Sequence, residues 1–135
     1  MNNFFKRLVL FTSYILLFFS APAQSSRVPL EDMVKAIKTN KLQDMDKYLD
    51  NFVTITINNA QSVYSHNQAQ VILHDFFEKN DAKDLSVADS GTPSSNSSFV
   101  IGNYTGPDGV KYMVYVLMKA KNNKYTVQEI RLSKE

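Results

Sequence analysis

Residues 112–118 read YMVYVLM, seven positions in a row without a charge. Side chains alternate across a strand, so Met113, Tyr115 and Leu117 share one face and Tyr112, Val114, Val116 and Met118 the other. Aromatic and β-branched residues dominate, which favours a strand over a helix. A strand apolar on both faces belongs to a sheet covered on both sides. In a chain this short, helices can cover one face, while the other needs strong curvature or a partner.

Two turns set a register for this strand. GPDG (106–109) joins it to SFVIGNY (98–104), and KNNK (121–124) joins it to YTVQEIRL (125–132). With Pro107–Gly109 as a three-residue loop, Tyr104 lies opposite Tyr112, Gly102 opposite Val114 and Val100 opposite Val116. With Asn122–Asn123 as a two-residue turn, Met118 meets Val127, Val116 meets Glu129 and Val114 meets Arg131. One face then collects Phe99, Ile101, Met113, Tyr115, Leu117, Ile130 and Leu132, the expected core beneath the helices. The other carries Tyr104, Tyr112, Val114, Val116, Met118, Glu129 and Arg131, which form the candidate dimer face. A one-residue slip would exchange the two sets.

The N-terminus predicts export. MNNFFKR supplies Lys6 and Arg7, an apolar run extends from Leu8 to Phe19, and Ala21 and Ala23 are small residues placed for cleavage. This is the pattern of a secretory signal peptide over residues 1–23, and its apolar run is too short for the roughly 20 residues a membrane helix needs. A flexible start, 24–28, and one domain, 29–134, should follow. The whole chain has 15 basic and 13 acidic residues. Losing Lys6 and Arg7 leaves 13 of each, so the mature chain is neutral, with no electrostatic pull on nucleic acid. The chain contains no cysteine, so neither a disulfide nor a lipidated cysteine is available, and no stable membrane anchor is expected after cleavage. The expected location is the periplasm or the extracellular space.

The mature chain reads as α+β. Pro29 opens a helix whose apolar face carries Leu30, Met33, Val34 and Ile37, with Glu31 and Asp32 in its first turn. Asn40 and Gln43 are expected to cap a second short helix bearing Leu42, Met45 and Leu49 on one stripe, with Tyr48 beside it. FVTITI (52–57), the Asn58-Asn59 turn and SVY suggest a strand pair. Ser65 and Gln68 form a capping-box signature for a third helix that runs to about Lys79. LSVAD (85–89) is a weak edge-strand candidate, and TPSSNSS (92–98) reads as a polar loop before the three strong strands.

This order of elements resembles the nuclear-transport-factor-2-like fold, a curved antiparallel sheet wrapped around helices as a cone with a cavity. More closely, PLEDMVKAIKTNK (29–41), LDNFVTITI (49–57), VYSHNQAQVILHDFF (63–77), YMVYVLMKAK (112–121) and YTVQEIRL (125–132) resemble a family of small exported Bacteroidota proteins known as a domain of unknown function. That resemblance implies no assigned activity. The wider fold hosts dehydratases, isomerases, cyclases, assembly domains and binding proteins, so function has to be argued from a site.

Few residues suggest chemistry. Asp44, Asp46 and Asp50 lie in or just after the second helix among polar neighbours. His66 and His74 are eight residues apart on one helix, about 12 Å along its axis, too far to chelate one ion unaided. No metal or other cofactor is expected. Tyr48, Tyr64 and Tyr115 are the candidate ligand-pocket residues, combining apolar rings with hydroxyl donors at the mouth of a cone. The leading expectation is therefore a non-enzymatic exported domain that binds a small apolar or amphipathic ligand or an envelope protein, and forms a homodimer through the outer sheet face. The alternatives are a small isomerase, cyclase or dehydratase with an interior carboxylate, and a purely structural homodimer.

Overall fold

The structure, a computed structural model, describes residues 28–135. The expected signal peptide, 1–23, and positions 24–27 of the expected flexible start lie outside the described residues. Helix α1 (Leu30–Lys38) begins after Pro29, whose carbonyl accepts the Met33 N–H at 3.0 Å. It stops where Asn40 takes a left-handed φ of 55°. The Asn40 N–H then reaches the Ile37 carbonyl and the Lys41 N–H the Ala36 carbonyl, closing a Schellman turn. Asn40 is thus engaged in ending α1 and does not cap the next helix as expected. Helix α2 (Leu42–Asp46) starts from Lys41 with no side-chain cap.

Strands β1 (Leu49–Ile57) and β2 (Ala60–Ser65) follow, joined at Asn58 and Asn59, both at positive φ. Helix α3 (His66–Lys79) opens with the expected capping box: the Ser65 hydroxyl accepts from the Gln68 N–H, and the Gln68 side chain accepts from the Ser65 N–H. The remaining strands are β3 (Ser86–Ser94), β4 (Ser97–Thr105), β5 (Lys111–Lys121) and β6 (Lys124–Lys134). The polar stretch 92–98 is less of a loop than expected. Ser94 still belongs to β3, and Ser97 and Ser98 are buried in β4, where the Ser94 and Ser97 hydroxyls bond at 2.7 Å.

The six strands run in the order β2-β1-β6-β5-β4-β3. Every neighbouring pair is antiparallel except β1 and β6, which are parallel, so the curved sheet is mixed. The β4–β5 register is the expected one, with Tyr104 opposite Tyr112, Gly102 opposite Val114 and Val100 opposite Val116. The β5–β6 pair also begins as expected, with Met118 opposite Val127. Beyond that point a β-bulge intervenes. Leu117 faces Glu129, Val116 faces Ile130 and Val114 faces Leu132, so Gln128 is the extra residue.

The inside and the outside are the reverse of those expected, and the bulge brings the end of β6 into line with the buried face. Ile130 and Leu132 join the side of Val114 and Val116, and the helices cover that side. Tyr104, Tyr112, Val114, Val116 and Met118 are each at most 4% exposed and belong to the hydrophobic core. They are therefore not a dimer face. The opposite side carries Phe99, Ile101, Met113, Tyr115 and Leu117, all half-buried, together with Glu129 and Arg131. Close packing supports this choice. A Cβ on Gly102, in the inward row, would come within 2.7 Å of the Leu85 side chain, so any larger residue would push that side chain aside.

Aromatic rings fill the interior. Tyr104 stacks on Tyr112 with centroids 5.1 Å apart, and Phe76 meets Tyr112 edge-on at 5.8 Å and Phe77 edge-on at 5.3 Å. The Tyr112 hydroxyl donates to Asn80 Oδ1 at 2.8 Å. Two methionines on opposite faces of β5 test the assignment. Met118→Ala, at a fully buried position, is expected to lose about 2–5 kcal/mol of unfolding free energy. Met113→Ala should lose less than half as much. Urea unfolding of both variants, followed by circular dichroism, makes the comparison.

Candidate functional site

The outer face of β4, β5 and β6 follows directly from strand alternation. Phe99 pairs with Leu117, Ile101 with Tyr115, Tyr115 with Arg131 and Leu117 with Glu129. Phe99 stacks on Tyr115 at 6.0 Å, and the Arg131 guanidinium lies 5.0 Å from the centre of the Tyr115 ring. Arg131 Nε donates to Glu129 Oε1 at 2.5 Å. The hydrogen bond and charge of Glu129 raise the Arg131 pKa above its ordinary value. The result is an apolar patch on which Glu129 and Arg131 satisfy each other along one edge, with Lys111 and Lys119 at the two ends of the β5 row.

Beside it, the bulge builds a polar clasp. The Gln128 amide donates to Asp50 Oδ2 and, at 3.1 Å, to the Thr126 hydroxyl, while the Asn51 N–H donates to Asp50 Oδ1 at 2.7 Å. Burial would raise the Asp50 pKa, but the Gln128 and Asn51 hydrogen bonds, the Lys121 charge and Thr126 outweigh it, and the pKa falls below 3.8. Gln128 was missed in the sequence because nothing in YTVQEIRL marks a bulge. The link spans 78 residues.

The three candidate pocket tyrosines do not converge. Tyr48, half-buried, borders a polar cleft of about 320 Å³ between α1 and α2, with Lys47 Nζ 5.1 Å from its ring centre. Tyr64 borders a separate groove beside α3. Tyr115 points to the outer face, not inward, because the buried row of β5 is the alternate one, Tyr112, Val114, Val116 and Met118. Another cleft, about 490 Å³ and mainly apolar, lies between α1 and the β3–β4 pair, lined by Val28, Leu30, Val34, Val87 and Val100.

The remaining candidates for chemistry are engaged in structure. His74 Nε2 lies 2.9 and 3.0 Å from the two Asp46 carboxylate oxygens, joining α3 to α2. His66 Nδ1 lies 3.2 Å from the Leu49 carbonyl and 3.3 Å from that of Asp50. The His74–Asp46 contact crosses 28 residues and left no signal in the sequence. Among the described residues, no group of three His, Asp or Glu side chains could hold a metal ion, and no helix is long and apolar enough to cross a membrane.

With the fold and site in view, comparison with known proteins supplies the class. The model of the DUF4783 family, a domain of unknown function, matches residues 30–133, and the chain belongs to that family. It is similar to crystal structures of DUF4783 proteins from Bacteroides uniformis and Bacteroides fragilis, at 27% and 28% identity. The TM-scores are 0.73 and 0.72, with 81% of this chain and 98% and 100% of those chains covered. An NTF2-like protein of unknown function from Cytophaga hutchinsonii matches at 11% identity, with a TM-score of 0.59 over 82% of this chain and 89% of that one. At that identity it establishes the NTF2-like fold alone. None of the curated proteins matches the chain.

The Asp50 clasp yields a prediction with a definite sign. Its folded pKa lies below the ordinary aspartate value of 3.8, so its stabilising contribution is fully present above that value and is lost as pH falls through the folded pKa. Asp50→Asn should therefore be less stable than the native chain near neutrality, and the gap should close as pH falls below about 3.8. Denaturant unfolding at stepped pH measures it; a gap that widens on acidification would contradict the clasp.

Proposed function

We propose that this protein is an exported, non-enzymatic interaction module whose outer sheet face packs against a second copy of itself. One observation carries the reading: Phe99, Ile101, Met113, Tyr115 and Leu117 form an apolar face that the protein's own helices do not cover. A contiguous apolar face of this kind is characteristic of an interaction surface. The charges favour a copy of the same chain. Glu129 and Arg131 already pair within one subunit, and Lys111 and Lys119 lie only at the two ends of the β5 row, so a two-fold interface can close over its centre without stranding an unpaired charge there. The interior supports an interaction role over catalysis, because Tyr104, Tyr112, Phe76 and Phe77 occupy the space where a cone-shaped fold would hold a substrate.

Sedimentation equilibrium of the purified protein tests this. The expected result is a dimer at micromolar concentration, converted to monomer by Leu117→Asp with the circular dichroism spectrum unchanged. A native chain that stays monomeric throughout would overturn the proposal.

A second reading, binding of a small apolar or amphipathic molecule, is supported by the valine-lined cleft between α1 and β3. Saturable fluorescence enhancement of anilinonaphthalene sulfonate, lost in Val34→Asp, is its expected signature. A flat titration would remove it.

A further inference from the structure

The two edges of the sheet are protected very differently. Strand β3 carries register irregularities between Val87 and Asp89 and between Gly91 and Ser94, and it contains Asp89 and Pro93. Bulges, charges and proline are the features that keep an edge from pairing with another chain. Strand β2, AQSVYS, has none of them. It is uncharged, lacks proline and pairs with β1 in unbroken register from Ala60 to Ser65. Among the described residues, no second strand adjoins it.

Hydrogen-bond alternation shows which backbone groups this edge presents. The two-residue turn at Asn58-Asn59 makes Ile57 and Ala60 the closing pair. Ala60, Ser62 and Tyr64 therefore bond back to β1, and the N–H and C=O groups of Gln61 and Val63 point away from the sheet. Ser65 follows the same alternation, since its N–H is turned from β1 to Gln68 Oε1 at 3.1 Å.

A groove runs beside this edge on the helix side. Two adjoining depressions of about 400 and 390 Å³ share Val71 and Ile72 of α3 as their floor, with Tyr64 at one end and Ile57 and Phe76 toward the other. Val71 is 70% exposed, a large value for an apolar side chain inside a helix. The space remains open because the neighbouring inward positions of β2, Ala60 and Ser62, are small. On the opposite face, Phe52 and Val63 flank the same edge at 67% and 65% exposure.

The geometry points to a peptide-binding site in which an extended, uncharged segment of a partner protein adds a strand to β2 and places alternate Val-, Ile- or Leu-sized side chains in the groove along α3. An exposed row of strand N–H and C=O groups is matched by the backbone of another strand, and the pocket beside it reads every second side chain. The charge pattern selects the occupant. The edge has no charge, and the groove's Asp75 and Lys79 already pair at 2.9 Å, so a charged segment would gain no counter-ion. A second copy's β2 fits less well, because its Ala60 and Ser62 would leave the groove largely empty. This site is separate from the outer sheet face, and either can fail without the other.

The test uses the purified, isotope-labelled protein and the synthetic peptide acetyl-Ser-Val-Thr-Val-Thr-Val-Ser-amide. Saturable amide shifts are expected at Gln61 and Val63 and along the Val71–Ile72 flank of α3. The same peptide with proline at its centre should produce none. Val63→Pro removes an outward N–H at an edge position that tolerates proline, and Val71→Lys puts a charge into the groove. Each variant should weaken binding by roughly ten-fold or more. If Val63→Pro fails to fold, Val71→Lys and the proline peptide decide the matter. No saturable shift up to the peptide's solubility limit, or shifts centred on Phe99 and Tyr115, would overturn the proposal. So would a concentration-dependent dimer abolished by Val63→Pro, which would give the edge to a second copy.

Discussion

Gln128 stands as one extra residue in β6, and its amide is held by Asp50 and Thr126. Because side chains alternate with a period of two, this insertion exchanges the faces of everything after it in β6. Ile130 and Leu132 turn inward beside Val116 and Val114, and Glu129 and Arg131 turn outward beside Leu117 and Tyr115. Without it, two charges would sit under the helices and two large aliphatic side chains would face outward. The same region accommodates the irregularity in the parallel β1–β6 pair between Leu49 and Thr54. The clasp at Asp50 therefore sits where the sheet closes and where inside and outside are decided.

The core that results is aromatic and dense. Tyr104 and Tyr112 stack across β4 and β5, and Phe76 and Phe77 reach down from α3. Burial, with smaller contributions from Tyr112, Asp108, Asp81 and Asp84, pushes the Tyr104 pKa well above the ordinary phenol value. Its hydroxyl is thereby held neutral, and it has no hydrogen-bond partner within the structure. With the interior filled this way, the apolar surface left outside the core lies on the uncovered face of β4–β6 and along the β2 edge. A small domain has one modest core, and here that core takes the room that a deeper pocket would need.

Membership of the DUF4783 family and the NTF2-like fold define the scaffold. The fold alone does not select an activity. What distinguishes this chain is the contrast between its surfaces. One edge is bulged and carries an aspartate and a proline, whereas the other is regular and bare. One sheet face is buried under helices, and the other is apolar at its centre, with Glu129 and Arg131 paired to each other.

Much of this was legible in the sequence. The three helices, the Ser65–Gln68 capping box, the asparagine turns and the β4–β5 register follow from short-range rules about caps, turns and alternation, and they hold. The expectation that YMVYVLM is covered on both faces holds for one of them: Tyr112, Val114, Val116 and Met118 are buried, whereas Met113, Tyr115 and Leu117 lie half-buried on the face the helices leave uncovered. Which face the helices cover was decided by tertiary structure, through a bulge that no residue pattern announces and a side-chain contact that crosses 78 residues. The Asn40 cap failed for a related reason: the same residue can end one helix or begin the next, and the packing of α1 against α2 chose. Local chemistry determined the elements. Contacts between residues far apart in the chain determined their inside and outside, because only the folded sheet brings Gln128 to Asp50.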